Sequence, residues 1–289
     1  MDKERQNRDI ETIRLEVEDI DIDSLLDNNI KIGINMGISS IIGTRENQQD
    51  SVFGQVGENT SIAIVCDGMG GLNGGERASQ TALKILAEDF FSADNIENIP
   101  EFFEKEAYKM DEEVYELKDE EGELLNAGTT VVAVVIKNNQ VYWLSVGDSK
   151  IYIIRENEII PVNREHNYRF LLDERLKNGE IDEETYKSEE KQAEALISYI
   201  GIGDLKLMDI NKKPFELMEN DIILLCSDGL YKRLSDEEIM ELIKYEEPDM
   251  KRAAKRLTDI VMKKTVKSQD NTSIVLMQYG KLNSETGIL

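Results

Sequence analysis

The chain has one histidine, His166, two cysteines and four prolines in 289 residues, and it is short of positive charge. Each scarcity excludes something. Imidazole-built zinc sites, and Ser-His-Asp or Cys-His catalysis, would all have to pass through that single histidine. Thirty-four basic against fifty-nine acidic residues leave a net charge of -25. Such a field repels phosphate backbones and anionic membranes, so no nucleic-acid or membrane partner is expected. No apolar run approaches the roughly 18 residues of a membrane span, and no basic-then-apolar start suggests a signal peptide. The expected location is cytoplasmic. Cys66 and Cys226 each close an apolar run, as reduced core thiols do, and do not suggest a secreted disulfide framework.

What is present suits a soluble fold. A hydrophobic fraction of 40% in a chain of this length can bury a substantial core. Residues 1–32 are dense in charge and read as an acidic N-terminal extension, with a short strand or docking arm around Ile13–Ile22 as the other option. Residues 33–280 read as one domain, and 281–289 as a tail. Strands are expected over 31–42, 51–56 and 62–66. A meander is expected over 129–136, 141–146, 150–155 and 158–162, and two further strands over 221–226 and 272–279. Ala78, Ala82, Leu86 and Phe90 recur at four-residue spacing, and Phe103, Ala107, Met110 and Val114 do nearly the same. These predict one helical pair. A capping box at Ser235 to Glu238 and the series Ala253, Leu257, Val261 predict a second. Residues 167–200 are too polar to be core and read as a helical insert. The sum is an α+β fold: a central antiparallel β-sandwich flanked by two pairs of helices.

One stretch organises the reading. Ile62–Cys66 is a buried strand that stops at Asp67-Gly68, presenting a carboxylate beside glycine-freed backbone, although Asp-Gly is also the commonest hairpin signal. The pattern recurs. Leu225-Cys-Ser-Asp228-Gly229 ends another apolar strand, Asp148 follows the strand ending at Val146, and Asp270 sits where the last strand begins. Carboxylates gathered at one sandwich edge cannot all ionise unless cations neutralise them, which implies Mg²⁺ or Mn²⁺. Carboxylate-held metal pairs about 4 Å apart typically serve phosphoryl chemistry. Arg45, in the polar loop before Asp50, is the candidate fork for phosphate oxygens. Rival chemistries fail on spacing. A cysteine phosphatase needs arginine six places after its cysteine, but Leu72 and Lys232 stand there, and no Walker A loop is present.

Together these segments resemble the bacterial form of the metal-dependent type 2C protein phosphatases. The matching pieces are Gly43-Thr-Arg45 through Gln49-Asp50-Ser51, Val65-Cys-Asp-Gly-Met-Gly-Gly71 with Gly75-Glu-Arg-Ala-Ser79, and Gly128-Thr-Thr130. Val146-Gly-Asp-Ser149, Leu225-Cys-Ser-Asp-Gly-Leu230 and Asp270-Asn271 complete the order. The resemblance implies the same sandwich, and hydrolysis of phosphoserine and phosphothreonine on proteins phosphorylated by a serine/threonine kinase. It implies that Asp67 bridges two core ions, that the Gly68 carbonyl reaches one of them, and that Asp228 and Asp270 hold the other. Asp148 with Asp228 would form a third, weaker site. Asp50 would bind through water, Arg45 would hold the substrate phosphate, and a metal-bridging hydroxide would attack phosphorus. The insert would be the flap beside the site. A monomer is expected.

Departures from the pattern are local. Met69 stands where eukaryotic members carry a proposed general-acid histidine, so the proton must come from water. Gln49 replaces an acidic residue, and Lys150 an arginine. His166 follows Glu165 where the family has Asp, and reads as structural. Two rivals stay open: a regulatory or scaffold module that has lost catalysis, and a phosphatase of a partner-switching pathway dedicated to one phosphoprotein. The first would be expected to lose a metal aspartate, yet Asp67, Asp228 and Asp270 are all present.

Overall fold

The computed structural model describes residues 32–71, 74–93, 95–264 and 267–281. Residues 1–31 and 282–289, with nearly all of the extension and the tail expected there, lie outside the described residues.

The chain opens with three strands, β1 (Ile32–Ile41), β2 (Asp50–Val56) and β3 (Thr60–Met69), and then the helices α1 (Gly74–Ser92) and α2 (Ile99–Tyr115). Strands β4 (Gly128–Thr129), β5 (Val131–Lys137), β6 (Gln140–Val146), β7 (Lys150–Arg155) and β8 (Glu158–Pro161) follow. The insert holds α3 (Tyr168–Lys177) and α4 (Glu183–Glu189), with Leu172 and Ala193 as its buried anchors. Two short strands, β9 (Asp209–Ile210) and β10 (Phe215–Glu216), lead to β11 (Ile222–Cys226). The helices α5 (Asp228–Tyr231), α6 (Asp236–Glu246) and α7 (Met250–Lys264) precede the last strand, β12 (Thr272–Lys281).

One sheet runs β1-β12-β11-β7-β8. The other runs β10-β6-β5-β3-β2, with β4 on β3 and β9 on β6. All named pairings are antiparallel. Successive side chains of a strand face opposite ways. In β3, Ala63 and Val65 therefore join Val132, Val134, Ile223 and Leu225 in a core between the sheets. Ile62, Ile64 and Cys66 pack instead on the α1–α2 pair, against Ala82, Leu86, Phe103 and Met110. Ile222, Leu224 and Cys226 of β11 do the same with Ile239, Ile243, Leu257 and Val261 of α6 and α7. Burial on both faces is why these strands read as unbroken apolar runs. Helix ends follow local chemistry: Asn98 caps α2 by accepting from the Glu101 amide at 3.3 Å, and the Ser235–Glu238 capping box starts α6.

Two expectations need correction. The 129–162 region is not one meander. β5 and β6 lie in one sheet and β7 and β8 in the other, so Gly147-Asp148-Ser149 carries the chain between sheets. Asp67-Gly68 is not a turn either. β3 continues through both residues to Met69, because Asp67 pairs with Asp50 on one side and Gly68 with Thr129 on the other. The short strands β9 and β10 also went unseen, since two residues carry no readable periodicity.

Candidate active site

By its parity in β3, Asp67 lies on the same face as Ala63 and Val65, toward the gap between sheets. Its backbone is clamped by Thr130: the Asp67 amide donates to Thr130 Oγ1 at 3.0 Å, and the Thr130 amide donates to the Asp67 carbonyl at 2.9 Å. Thr130 Oγ1 lies 2.7 Å from Ser149 Oγ. The Gly-Thr-Thr and Gly-Asp-Ser motifs thus meet behind Asp67. Asp50 faces it across the β2–β3 ladder.

Asp148 sits on the sheet-to-sheet crossing. Gly147 has φ +102, a conformation that favours glycine, and His166 fixes the crossing from both sides. The Gly147 amide donates to His166 Nδ1 at 3.2 Å, and the His166 amide donates to the Gly147 carbonyl at 2.8 Å. Burial holds the imidazole neutral, with its pKa lowered to about 4. The structural reading of His166 therefore fits its surroundings.

Asp228 is the first residue of α5, and its Oδ2 accepts from Lys232 Nζ at 2.6 Å. Asp270 precedes β12 and accepts from Arg45 Nη2 at 2.6 Å. Asn271 ties the Arg45 loop to that strand by donating to the Ile42 carbonyl at 2.8 Å and accepting from the Gln49 amide at 2.7 Å. Asp67 is pushed well above the usual carboxylate range by burial first, and then by the charges of Asp50, Asp228, Asp148 and Asp270. Burial and the Asp228 charge push Asp148 up to about 6. Asp50 is pushed up to about 7, mainly by burial and in spite of a 2.8 Å hydrogen bond from Ser227 Oγ.

The donor chemistry fits a hard divalent cation. Every candidate side chain offers carboxylate oxygen, and Asp50 Oδ1 is buried without a hydrogen-bond partner among the described residues. Among those residues no three carboxylate, imidazole or thiolate groups stand arranged to hold an ion as they are. Asp228 and Asp270 are each engaged by a cationic side chain instead. Sequence reasoning missed Lys232, Ser227 and the Thr130–Ser149 link. Ser227, Thr130 and Ser149 stand inside the quoted motifs, but nothing local shows what they contact, and Lys232 faces Asp228 only once the short helix α5 is known.

The raised Asp50 pKa has a stability consequence. The folded protein holds that proton more tightly than the unfolded chain, so stability falls as pH rises from about 4 to about 7. In chelator, the melting temperature should drop between pH 5.5 and 7.5 more steeply for the wild type than for Asp50→Asn. Manganese should raise it more at the higher pH. Parallel slopes in the two proteins would exclude Asp50 as the source.

Residues 39–269 match the model of the family described as protein phosphatase 2C, which makes this chain a protein phosphatase. It belongs to that family. The serine/threonine phosphatase stp of Listeria welshimeri is 28% identical over 226 residues, covering 76% of this chain and 85% of that protein. The S. agalactiae serine/threonine phosphatase structure superposes with a TM-score of 0.72 at 25% identity, over 84% of this chain and 98% of that one. The catalytic domain of PstP, crystallised with two manganese ions, shares the fold with a TM-score of 0.69 at 23% identity, over 86% and 99% of the two chains.

Proposed function

We propose that the chain is a Mg²⁺- or Mn²⁺-dependent serine/threonine protein phosphatase. The observation that carries this reading is the convergence of aspartates from distant parts of the sequence: Asp50 faces Asp67 across the β2–β3 ladder, and Asp228 and Asp270 line one pocket with Arg45. The named serine/threonine phosphatases among its relatives, and the manganese in PstP, support it.

Asp67 and the Gly68 carbonyl, with Asp228 and Asp270, are the residues that would hold two ions. Asp148 with Asp228 would hold a third, and Asp50 would act through water. Bound there, divalent ions would supply Lewis acidity, to activate water and to neutralise the phosphoryl oxygens. The chain's own groups do the rest. Arg45 is exposed and reaches Asp270 from a loop, so its guanidinium can exchange that carboxylate for a substrate phosphate, whose oxygens accept the same fork. Met69 offers no proton, and His166 is buried away from solvent, so water must protonate the departing serine or threonine alkoxide. The reading places the enzyme in the cytoplasm, as a monomer acting on targets of a serine/threonine kinase. No helix among the described residues is long and apolar enough to cross a membrane.

The test is manganese-dependent phosphate release from a phosphothreonine peptide. Chelator should abolish it, and Asp228→Asn should lower it at least about a hundredfold, a loss near 3 kcal/mol of transition-state stabilisation. Robust turnover in chelator, or an unaffected variant, sinks the mechanism.

A further inference from the structure

Beside Asp228 and Asp270 opens a pocket of about 420 Å³, walled by the Arg45 loop, the α5 turn and the chain entering β12. Three cationic side chains line it: Arg45, Lys232 and Arg233. Its acidic lining consists of Asp228 and Asp270, the two carboxylates assigned to cations in the reading above. A protein of net charge -25 repels phosphoprotein substrates at long range, so cationic side chains at the cleft are needed to hold them there. Arg45 accounts for one phosphate. Two cations remain.

They are held differently. Arg233 is fixed, its Nε donating to Gln269 Oε1 at 2.9 Å and its Nη2 to the Ser268 carbonyl. Lys232 is movable. Its side chain is 41% exposed and spans from Asp228 Oδ2, at 2.6 Å, toward Glu194 Oε2 of the helical insert, at 4.0 Å. A long ammonium arm placed between two carboxylates can exchange one of them for an incoming anion.

We propose that Lys232 and Arg233 form a second anion subsite, selecting phosphoproteins with another phosphate or a carboxylate side chain close to the scissile phosphate. All three cations line one pocket of about 420 Å³, and two residues of extended chain span about 7 Å, so a second anion that shares this pocket lies within one or two residues of the phosphorylated one. The proposal rests on the phosphatase reading, and the experiment separates the two.

Three phosphothreonine peptides are compared in manganese: one with neutral flanks, one with glutamate beside the phosphothreonine, and one with a second phosphothreonine there. The wild type should show kcat/KM about tenfold higher for the anionic peptides, mostly through KM, with the advantage shrinking as salt rises. Lys232→Gln should bring the ratio to within about twofold of unity, Lys232→Arg should keep it, and Arg233→Gln should lower it. Hydrolysis of p-nitrophenyl phosphate, which has no flanking residue, normalises each variant. If the wild type cleaves all three peptides equally, the subsite is absent and the phosphatase reading stands. A preference untouched by both Gln variants overturns the assignment to these residues. If no substrate is cleaved, both readings fail together.

Discussion

Asp67→Asn should lower phosphate release at least about a thousandfold, close to 4 kcal/mol, while leaving the fold intact. Asparagine keeps the shape of aspartate, and the contacts that hold this position belong to the backbone: the Asp50 pairing and the Thr130 clamp. What disappears is the charge at the centre of five carboxylates. Burial and the four other aspartates already oppose ionisation of Asp67, so removing it relieves repulsion. The variant should therefore melt higher than the wild type in chelator, yet gain less on adding manganese. That opposite movement of two melting temperatures marks a loss of cation binding, which misfolding cannot imitate. Activity within tenfold of the wild type would remove Asp67 from the centre of the mechanism.

Part of the candidate site was legible in sequence because buried strands are. Continuous apolar runs at 62–66 and 222–226 signal strands buried on both faces, and an aspartate follows each run within two residues. The helical pairs were equally plain, from four-residue spacing and a capping box. The missing parts were those that depend on contacts far apart in the chain. Asp67-Gly68 reads locally as a turn, but pairing with Asp50 and Thr129 keeps both residues in the strand. The 147–149 turn reads as a hairpin, but the chain changes sheets there, since β7 finds its partner in β11. Arg45 and Asp270 are 225 residues apart, and nothing in either segment announces their pairing. Lys232 stayed hidden for a subtler reason. Its role follows from the short helix that Asp228 begins, and a four-residue helix leaves no periodic trace.

Gly68→Ala should cost both stability and activity, through a contact the sequence does not display. A Cβ at this position would meet the Gly75 carbonyl oxygen at 2.0 Å and the Gln49 carbonyl oxygen at 2.5 Å. Both obstacles are backbone, so no side chain can rotate out of the way. Gly75 is the matching half, since its own Cβ would fall 2.9 Å from the Gly68 carbonyl. The two glycines let the start of α1 lie directly on the end of β3. The Gly68 amide also donates to Gln49 at 3.1 Å, and Ser79 of α1 donates to the same Gln49 carbonyl at 2.6 Å. Strand end, helix start and the loop before Asp50 thus share one small contact. Forcing a methyl group into it should cost about 2–3 kcal/mol, or roughly 5–10 °C in melting temperature. The parts that give way carry Asp67, the Gly68 carbonyl and Asp50, and a displacement near 1 Å costs about a hundredfold in rate. Gly71→Ala is the control: its Cβ would meet nothing within 4 Å, and melting temperature and rate should stay near the wild type. If Gly68→Ala behaves like that control, the close approach of α1 to β3 is not what holds the site in register.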